Sequence, residues 1–201
     1  MSRISYRFVK RAMDILLSSA ALVILSPMFL LISVIIKLTS RGPILHRYEM
    51  VGCGGQLFWG QKFRSMSANA HAIRFELEDM NEMKGPVFKI KNDPRVTKIG
   101  RLLRKYSLDE FPQLWNVLKG DMSLVGPRPP GPYEVDGFED WHLEKLAVKP
   151  GATSTWIING KPTDFDEWAK LDIEYINNWS LWLDIVIIAK TIPVVLFGQN
   201  Q

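Results

Sequence analysis

The sequence predicts an α+β fold: a helix-rich single domain with a small strand element, an N-terminal re-entrant membrane helix-break-helix and interfacial amphipathic helices. Three observations predict it. An uncharged run extends from Ile15 to Ile36 and is interrupted by Ser26-Pro27. Short amphipathic stretches bounded by glycine and proline fill most of the chain beyond that run. Only two segments, Leu57 to Phe63 and Val87 to Lys91, look like strands. At 201 residues the chain holds one domain with a real core and is short for two. Residues 1–40, the membrane helix, and residues 41–201, a domain on the cytoplasmic face, are therefore expected to form one structural unit.

The N-terminal run is about as long as the ~20 residues that a spanning helix needs. Its flanks are both basic, with Arg3, Arg7, Lys10 and Arg11 before it and Lys37, Arg41 and Arg47 after it. The positive-inside bias pulls both ends toward the cytoplasm, which a single straight span cannot satisfy. No small-residue cleavage pattern comes after it, so the segment is not a signal peptide. Pro27 removes an intrahelical hydrogen bond and crowds the preceding turn, so a break is expected at Ser26-Pro27, giving a segment that dips into one leaflet and returns. Asp14 follows Lys10 and Arg11 at helical ion-pair spacing, which lowers the cost of a carboxylate at a membrane edge. A plain anchor with a proline kink is the competing reading.

Further along, Ala68 to Lys84 has a helical pattern with Ile73, Leu77 and Met80 on one face, ended by Gly85-Pro86. Val87 to Lys91 reads as a short strand and Asn92-Asp93-Pro94 as a turn. Thr97 is placed to cap a short basic helix that carries Ile99, Leu102 and Leu103 inward and Arg101, Arg104 and Lys105 outward. A new helix begins after Ser107, since Pro112 is tolerated only near a helix start; Leu114, Val117 and Leu118 form its apolar stripe and Gly120 stops it. Gly126 to Pro132 is too rich in glycine and proline for helix or central strand and must be an irregular loop presenting Arg128. Leu181 to Phe197 is apolar but interrupted by Asp184, Lys190 and Pro193, with Trp179 and Trp182 at its start, which suits an interfacial helix better than a second span.

Composition narrows the partners. With 47% hydrophobic residues and a formal charge of +4, the chain is not disordered, and its balance favours an anionic partner: nucleic acid, lipid headgroup or phosphorylated substrate. No nucleic-acid reader motif or aromatic platform is present. Cys53 is the single cysteine, so neither an internal disulfide nor a multi-cysteine zinc site is available. His46, His71 and His142 are scattered without metal spacing and read as ordinary surface or satisfied residues.

The chemistry concentrates between Ser107 and Arg128. Asp109 and Glu110 are adjacent carboxylates at a helix start, preceded by Arg101, Arg104 and Lys105 and followed by the Arg128 loop. One reading is structural: Ser107-Leu108-Asp109-Glu110 fits a capping box in which Glu110 reaches back to the Ser107 amide. The other is catalytic. An ionised carboxylate beside several cations is suited to holding a divalent metal and to attacking phosphorus, and Mg²⁺ needs only one or two carboxylates when substrate phosphates supply the rest. Arg101, Lys105 and Lys119 read as solvated charges, and the Leu114, Trp115 and Leu118 stripe as core.

Lys105 to Pro129, KYSLDEFPQLWNVLKGDMSLVGPRP, closely resembles the signature of the bacterial sugar transferases, the monotopic polyprenol-phosphate phosphoglycosyl transferases. The resemblance covers nearly the whole chain. Lys10-Arg11 with Asp14 and then Ser26-Pro27 resemble that family's re-entrant motif, and Lys62-Phe63-Arg64-Ser65-Met66 its K-F-R-[ST]-M element. Asn92-Asp93-Pro94-Arg95, Lys149-Pro150-Gly151 and Trp179-Ser180-Leu181-Trp182-Leu183-Asp184 are similar to further family blocks in the expected order. The resemblance implies transfer of a sugar 1-phosphate from a UDP-sugar to polyprenol (undecaprenyl) phosphate, with release of UMP. This is a first membrane step of glycoconjugate or exopolysaccharide biosynthesis. It further implies Asp109 as nucleophile, forming a phosphosugar-aspartyl intermediate, Glu110 as its assisting acid, and Lys62, Arg104 and Arg128 as phosphate-binding cations. Mg²⁺ would bridge Asp109 to the diphosphate. The implied location is the bacterial inner membrane with the catalytic domain on the cytoplasmic face, among membrane lipids and without nucleic acid. Where relatives read Lys-Pro-Gly-[IL]-Thr-Gly, this chain has Lys149-Pro150-Gly151-Ala152-Thr153-Ser154, a departure that bears on sugar choice. The family has longer members with extra N-terminal membrane helices, and this chain is expected to be the minimal catalytic unit. The alternative from a different class is a non-catalytic membrane-surface protein that binds anionic lipids, with Asp109 and Glu110 only capping a helix.

Overall fold

The computed structural model describes residues 3–67, 69–70 and 72–198. It opens with α1 (Arg3–Thr39), a helix of 37 residues with Pro27 inside it. A hairpin comes next, β1 (Leu45–Val51) antiparallel to β2 (Leu57–Phe63), in the register Leu45 opposite Phe63 and Val51 opposite Leu57. After it come α2 (Lys98–Lys105), a 3₁₀ turn over Leu108–Gln113, α3 (Leu114–Lys119) and β3 (Ser123–Val125). The remainder comprises α4 (Pro132–Val135), a 3₁₀ segment over Asp140–Ala147, β4 (Gly151–Thr153), α5 (Thr155–Ile158), α6 (Phe165–Asn177) and α7 (Leu181–Leu196). β3 and β4 pair in parallel, Ser123 with Gly151 and Val125 with Thr153. The expected mixture of helices with a small strand element is what the chain forms.

The break expected at Ser26-Pro27 is not a break in helical backbone, since helix runs continuously from Arg3 to Thr39. The local reason is visible. Proline cannot donate to the carbonyl four residues before it, which is that of Val23, and the Ser26 hydroxyl donates to this carbonyl instead, at 2.8 Å. Both ends of α1 join the same body. Near its start, Asp14 is buried and accepts from the Ser123 hydroxyl and the Leu124 N–H, at 3.0 and 2.9 Å. Near its end, Ile32 and Ile36 are buried with Phe63 and Leu103, with Phe29, Ile44 and Leu108 packed around them. Between these seats Leu16, Val23, Ile24, Leu30 and Leu31 are exposed.

Three local expectations need correction. The stretch from Ala68 to Lys84 is not a helix: its described residues are turns and one 3₁₀ segment, Phe75–Met80, while Ala68 and His71 lie outside the described residues. Met80 is exposed and Ile73 and Leu77 are only half-buried, so the expected apolar face gains little burial to stabilise a longer helix. Val87 to Lys91 is not a strand. The Asn81 side chain donates to the Val87 carbonyl and accepts from the Lys89 N–H, while the Glu82 N–H donates to the Lys89 carbonyl, so the groups a neighbouring strand would pair are already used. β1, which sequence reasoning missed, supplies the partner of β2. Leu102 points outward, 51% exposed, whereas Leu103 and Ile99 of the same helix join the core.

Two further cores complete the body. Met83, Val87, Trp156, Phe165, Trp168 and Ala169 pack together, and Val125, Tyr175 and Ile187 form a second cluster with Leu183 and Trp179 against it. The second cluster surrounds a polar knot. The Lys10 ammonium meets Asp184 at 2.7 Å and the Val125 carbonyl at 3.0 Å, and the Tyr175 hydroxyl bonds both Asp184 and that carbonyl. Asp184 is wholly buried, so its negative charge is tolerable because Lys10, Tyr175 and Tyr6 all donate to it. α1, α7 and β3 are thereby joined three residues before Arg128.

Candidate active site

α2 begins at Thr97, whose hydroxyl accepts from the Gly100 N–H at 3.0 Å, the cap anticipated from sequence. Gly100 lies directly on the Ser65 carbonyl, where a β-carbon would have no room. This close approach lets Arg104, one turn on, donate from Nε to the Ser65 hydroxyl at 3.0 Å. Strand pairing fixes the second cation: Lys62 stands opposite His46, with its ammonium 4.6 Å from the centroid of the Tyr48 ring.

After α2 the chain turns sharply. Ser107 adopts left-handed backbone (φ 52) rather than the extended backbone typical of a capping residue, and its side chain does not cap. The capping box therefore does not form; the Glu110 N–H bonds the Ser107 carbonyl, and the Glu110 side chain is released toward Arg128, 3.4 Å away. That observation removes the capping-box account of Glu110. Pro112 sits in the 3₁₀ turn, and Gly120, at φ 96, ends α3 as anticipated. Arg128 lies in the irregular loop after β3. Its mount is rigid: the Gly126 N–H donates to the Thr153 carbonyl, the Gly151 N–H donates to the Pro127 carbonyl, and a β-carbon on Gly126 would press on the Lys149 carbonyl.

Lys62, Arg104, Asp109, Glu110 and Arg128 thus converge on one cleft of about 770 Å³. Asp109 is 5% exposed. Burial, then the neighbouring Glu110 charge, pushes its carboxyl up to about 6, with Lys62 and Arg104 opposing. Glu110 moves the other way: burial would raise it, but Arg128 and then Lys62 hold it below the usual carboxylate range. Burial lowers the Lys62 ammonium, and Asp109 partly offsets this. Two adjacent carboxylates with opposed shifts suit two different roles. Among the described residues no group of three or more His, Cys, Asp or Glu side chains is arranged to hold a metal. Asp109 and Glu110 are the two adjacent carboxylates that line this cleft.

The residues of the N-terminal motif lie elsewhere and act structurally. Asp14 does not pair with Lys10 or Arg11 as spacing suggested. Lys10 binds Asp184, Asp14 binds β3, and the Arg11 guanidinium donates to the Val117 and Leu118 carbonyls, at 2.6 and 2.7 Å, at the end of α3. Ser26 and Pro27 are exposed in mid-helix. His142 is a satisfied buried residue, bonding the Glu139 N–H and Asp166. Sequence reasoning missed Tyr48, Gln113, Lys89, Trp156 and Lys161, which also line the cleft. Gln113 donates to the Tyr48 hydroxyl at 3.1 Å, steadying the ring under Lys62. None of these carries a local signal, because a tertiary approach alone brings them to the cleft.

The family profile described as bacterial sugar transferase matches residues 5–198. The chain is similar to the galactosyl transferase CpsE of Streptococcus agalactiae, 49% identical over 79% of this chain and 36% of the relative. It is similar to the undecaprenyl-phosphate galactose phosphotransferase of Salmonella typhimurium, 44% identical over 98% of this chain and 42% of the relative. It also resembles the exopolysaccharide production protein ExoY of Rhizobium meliloti, 39% identical over 96% of this chain and 87% of the relative. The chain thus spans about two fifths of the length of the first two relatives. From the profile match and these identities, the chain belongs to the bacterial sugar transferase family.

Proposed function

We propose that the chain transfers a sugar 1-phosphate from a UDP-sugar to polyprenol (undecaprenyl) phosphate at the cytoplasmic face of the membrane, through a covalent intermediate on Asp109. The observation that carries this reading is the seating of Asp109: a buried carboxylate lining a cleft, flanked by Glu110 and by Lys62 and Arg104, with Arg128 on Glu110. The name of the Salmonella typhimurium relative specifies the same acceptor and the same kind of transfer.

In the first half-reaction an Asp109 oxygen attacks the sugar-bearing phosphorus. A bond forms from that oxygen to phosphorus, the bond from phosphorus to the bridging oxygen breaks, and UMP leaves with its electron pair. In the second, an oxygen of polyprenol phosphate attacks the same phosphorus, the bond to Asp109 breaks and the carboxylate is regenerated. Lys62, Arg104 and Arg128 hold phosphate oxygens throughout, which is where most of the catalysis in phosphoryl transfer arises. Mg²⁺, when bound at Asp109, supplies further neutralisation of the diphosphate charge. Splitting the displacement in two lets a soluble and a lipidic anion use one site in turn.

The membrane geometry belongs to the same proposal. Both ends of α1 seat on one body while its middle is apolar and exposed, which supports a helix that bends at Pro27 within the membrane and returns to the face it entered, with α7 at the interface, where Trp182, Ile185 and Phe197 are exposed. That places the cleft near headgroup depth. The test is nucleoside monophosphate release from a panel of UDP-sugars with undecaprenyl phosphate and Mg²⁺. We expect UMP from one donor, lost by ~10³-fold or more in Asp109→Asn and abolished by chelator. Release that survives Asp109→Asn sinks the covalent mechanism.

A further inference from the structure

The cleft contains a second group of cations built around Trp156. The Lys89 ammonium lies 5.6 Å and the Arg128 guanidinium 5.5 Å from the centroid of its ring. The Lys161 N–H donates to the Trp156 carbonyl at 3.2 Å, and the indole N–H donates to the Pro162 carbonyl at 3.1 Å, so the turn carrying Lys161 is tied to the same residue at both ends. Trp156 is 7% exposed and stacks on Trp168 at 4.9 Å, which makes it a fixed platform. Lys89, Arg128 and Lys161 all line the cleft.

Backbone geometry singles out Lys161. Among the described residues, two non-glycine residues have left-handed backbone: Ser107, which turns the chain into Asp109, and Lys161 at φ 55. A residue with a β-carbon pays for that conformation, and such strain concentrates at working sites. Here it is retained at a lysine directed to a cleft already rich in cations. Burial, then Lys89, pushes the Lys161 ammonium down to about 8, and burial followed by Arg128 lowers Lys89. Crowded like charges are unfavourable in the free chain, and a bound dianion offsets their repulsion.

We propose that Lys89, Lys161 and Arg128 form a second phosphate subsite, separate from the Lys62 and Arg104 side of Asp109, that holds the phosphate monoester dianion not under attack. The proposal rests on the transfer reaction above. Arg128 joins the two subsites, since it faces Glu110 on one side and Trp156 on the other. A phosphate monoester reaches this place from two sources, the departing nucleoside monophosphate and the polyprenol phosphate acceptor.

The test uses the full chain in lipid nanodiscs with Lys89→Met, Lys161→Gly and Lys161→Arg. Lys161→Gly removes the ammonium and also relieves the left-handed backbone, so weaker binding there is not misfolding. UMP and uridine affinities are measured by calorimetry, and the KM for undecaprenyl phosphate by turnover. We expect Lys89→Met and Lys161→Gly to weaken UMP binding, or raise the lipid KM, on the order of tenfold, with uridine unaffected and Lys161→Arg close to wild type. A change in UMP alone assigns the subsite to the leaving group, in lipid KM alone to the acceptor, and in both to each in turn. Unchanged UMP affinity and lipid KM in an active protein overturn the subsite alone; a wild type that neither binds UMP nor turns over overturns the transfer reading as well.

Discussion

Lys145 and Asp172 meet 3.1 Å apart with side chains 1% and 0% exposed, and the ammonium lies 4.3 Å from the Trp168 ring centroid and 4.7 Å from that of Phe165. Both members shift toward neutrality because burial outweighs their attraction: Lys145 is lowered, and Asp172 is pushed up from 3.8 to about 6. Between those two values the folded chain holds the Asp172 proton that the unfolded chain has lost, so this contribution to stability falls as pH rises from about 4 to 6. Denaturant midpoints at pH 4.5 and 7 should show that slope in wild type and a shallower one in Asp172→Asn. Lys145→Met strands a buried carboxylate and should cost ~3–5 kcal/mol near neutrality. Lys161 gives a second pH signature. Burial, then Lys89, depresses its ammonium to about 8, with Glu110 opposing, so UMP affinity should weaken as pH rises through about 8 and proton uptake should accompany binding between about 8 and the free-lysine range; a flat profile would count against it. Asp109, Glu110, Lys62, Arg104 and Arg128 were legible because each lies in a dense local motif. Lys89, Lys161 and the Lys145–Asp172 pair were not, because their partners are chosen by packing between remote segments.

α2 is the element on which the cleft depends most. Gly100 faces the Ser65 carbonyl without space for a β-carbon, and Arg104 reaches the Ser65 hydroxyl from the same helix. In an isolated helix Gly→Ala would gain about 1 kcal/mol. Here Gly100→Ala must push α2 off Ser65, so we expect a net loss of ~1–3 kcal/mol together with reduced turnover, read by thermal melting and by UMP release. Thr97→Ala, which removes only the cap, should cost ~1 kcal/mol and leave turnover of the folded protein near wild type. Caps and stops such as Thr97 and Gly120 were readable because they act within one turn. The segment before Gly85 was misread because periodicity reports an apolar face without reporting whether anything covers it. β1 was overlooked because His46, Arg47 and Glu49 mask its alternation.

For the molecule as a whole, the decisive feature is that α1 is held at both ends. If it is re-entrant, Arg7→Cys and Arg41→Cys, each in a Cys53→Ser background, should react with an impermeant maleimide from one and the same side of sealed vesicles. Labelling from opposite sides would establish a span. The sequence announced the membrane segment, its basic flanks and its proline, but not the way Ser26 bridges the carbonyl that Pro27 abandons, since that depends on a side-chain rotamer within continuous helix. The knot of Lys10, Asp184, Tyr175 and the Val125 carbonyl has a practical corollary. Cutting away α1 to obtain a water-soluble form would strip Asp184 of its cation and leave the strand that carries the Arg128 loop loose, so truncation should yield aggregate. A soluble variant has to keep the helix and repaint its outer face, replacing Leu16, Val23, Ile24, Leu30 and Leu31 with polar residues while Lys10, Asp14, Ile32 and Ile36 stay as they are.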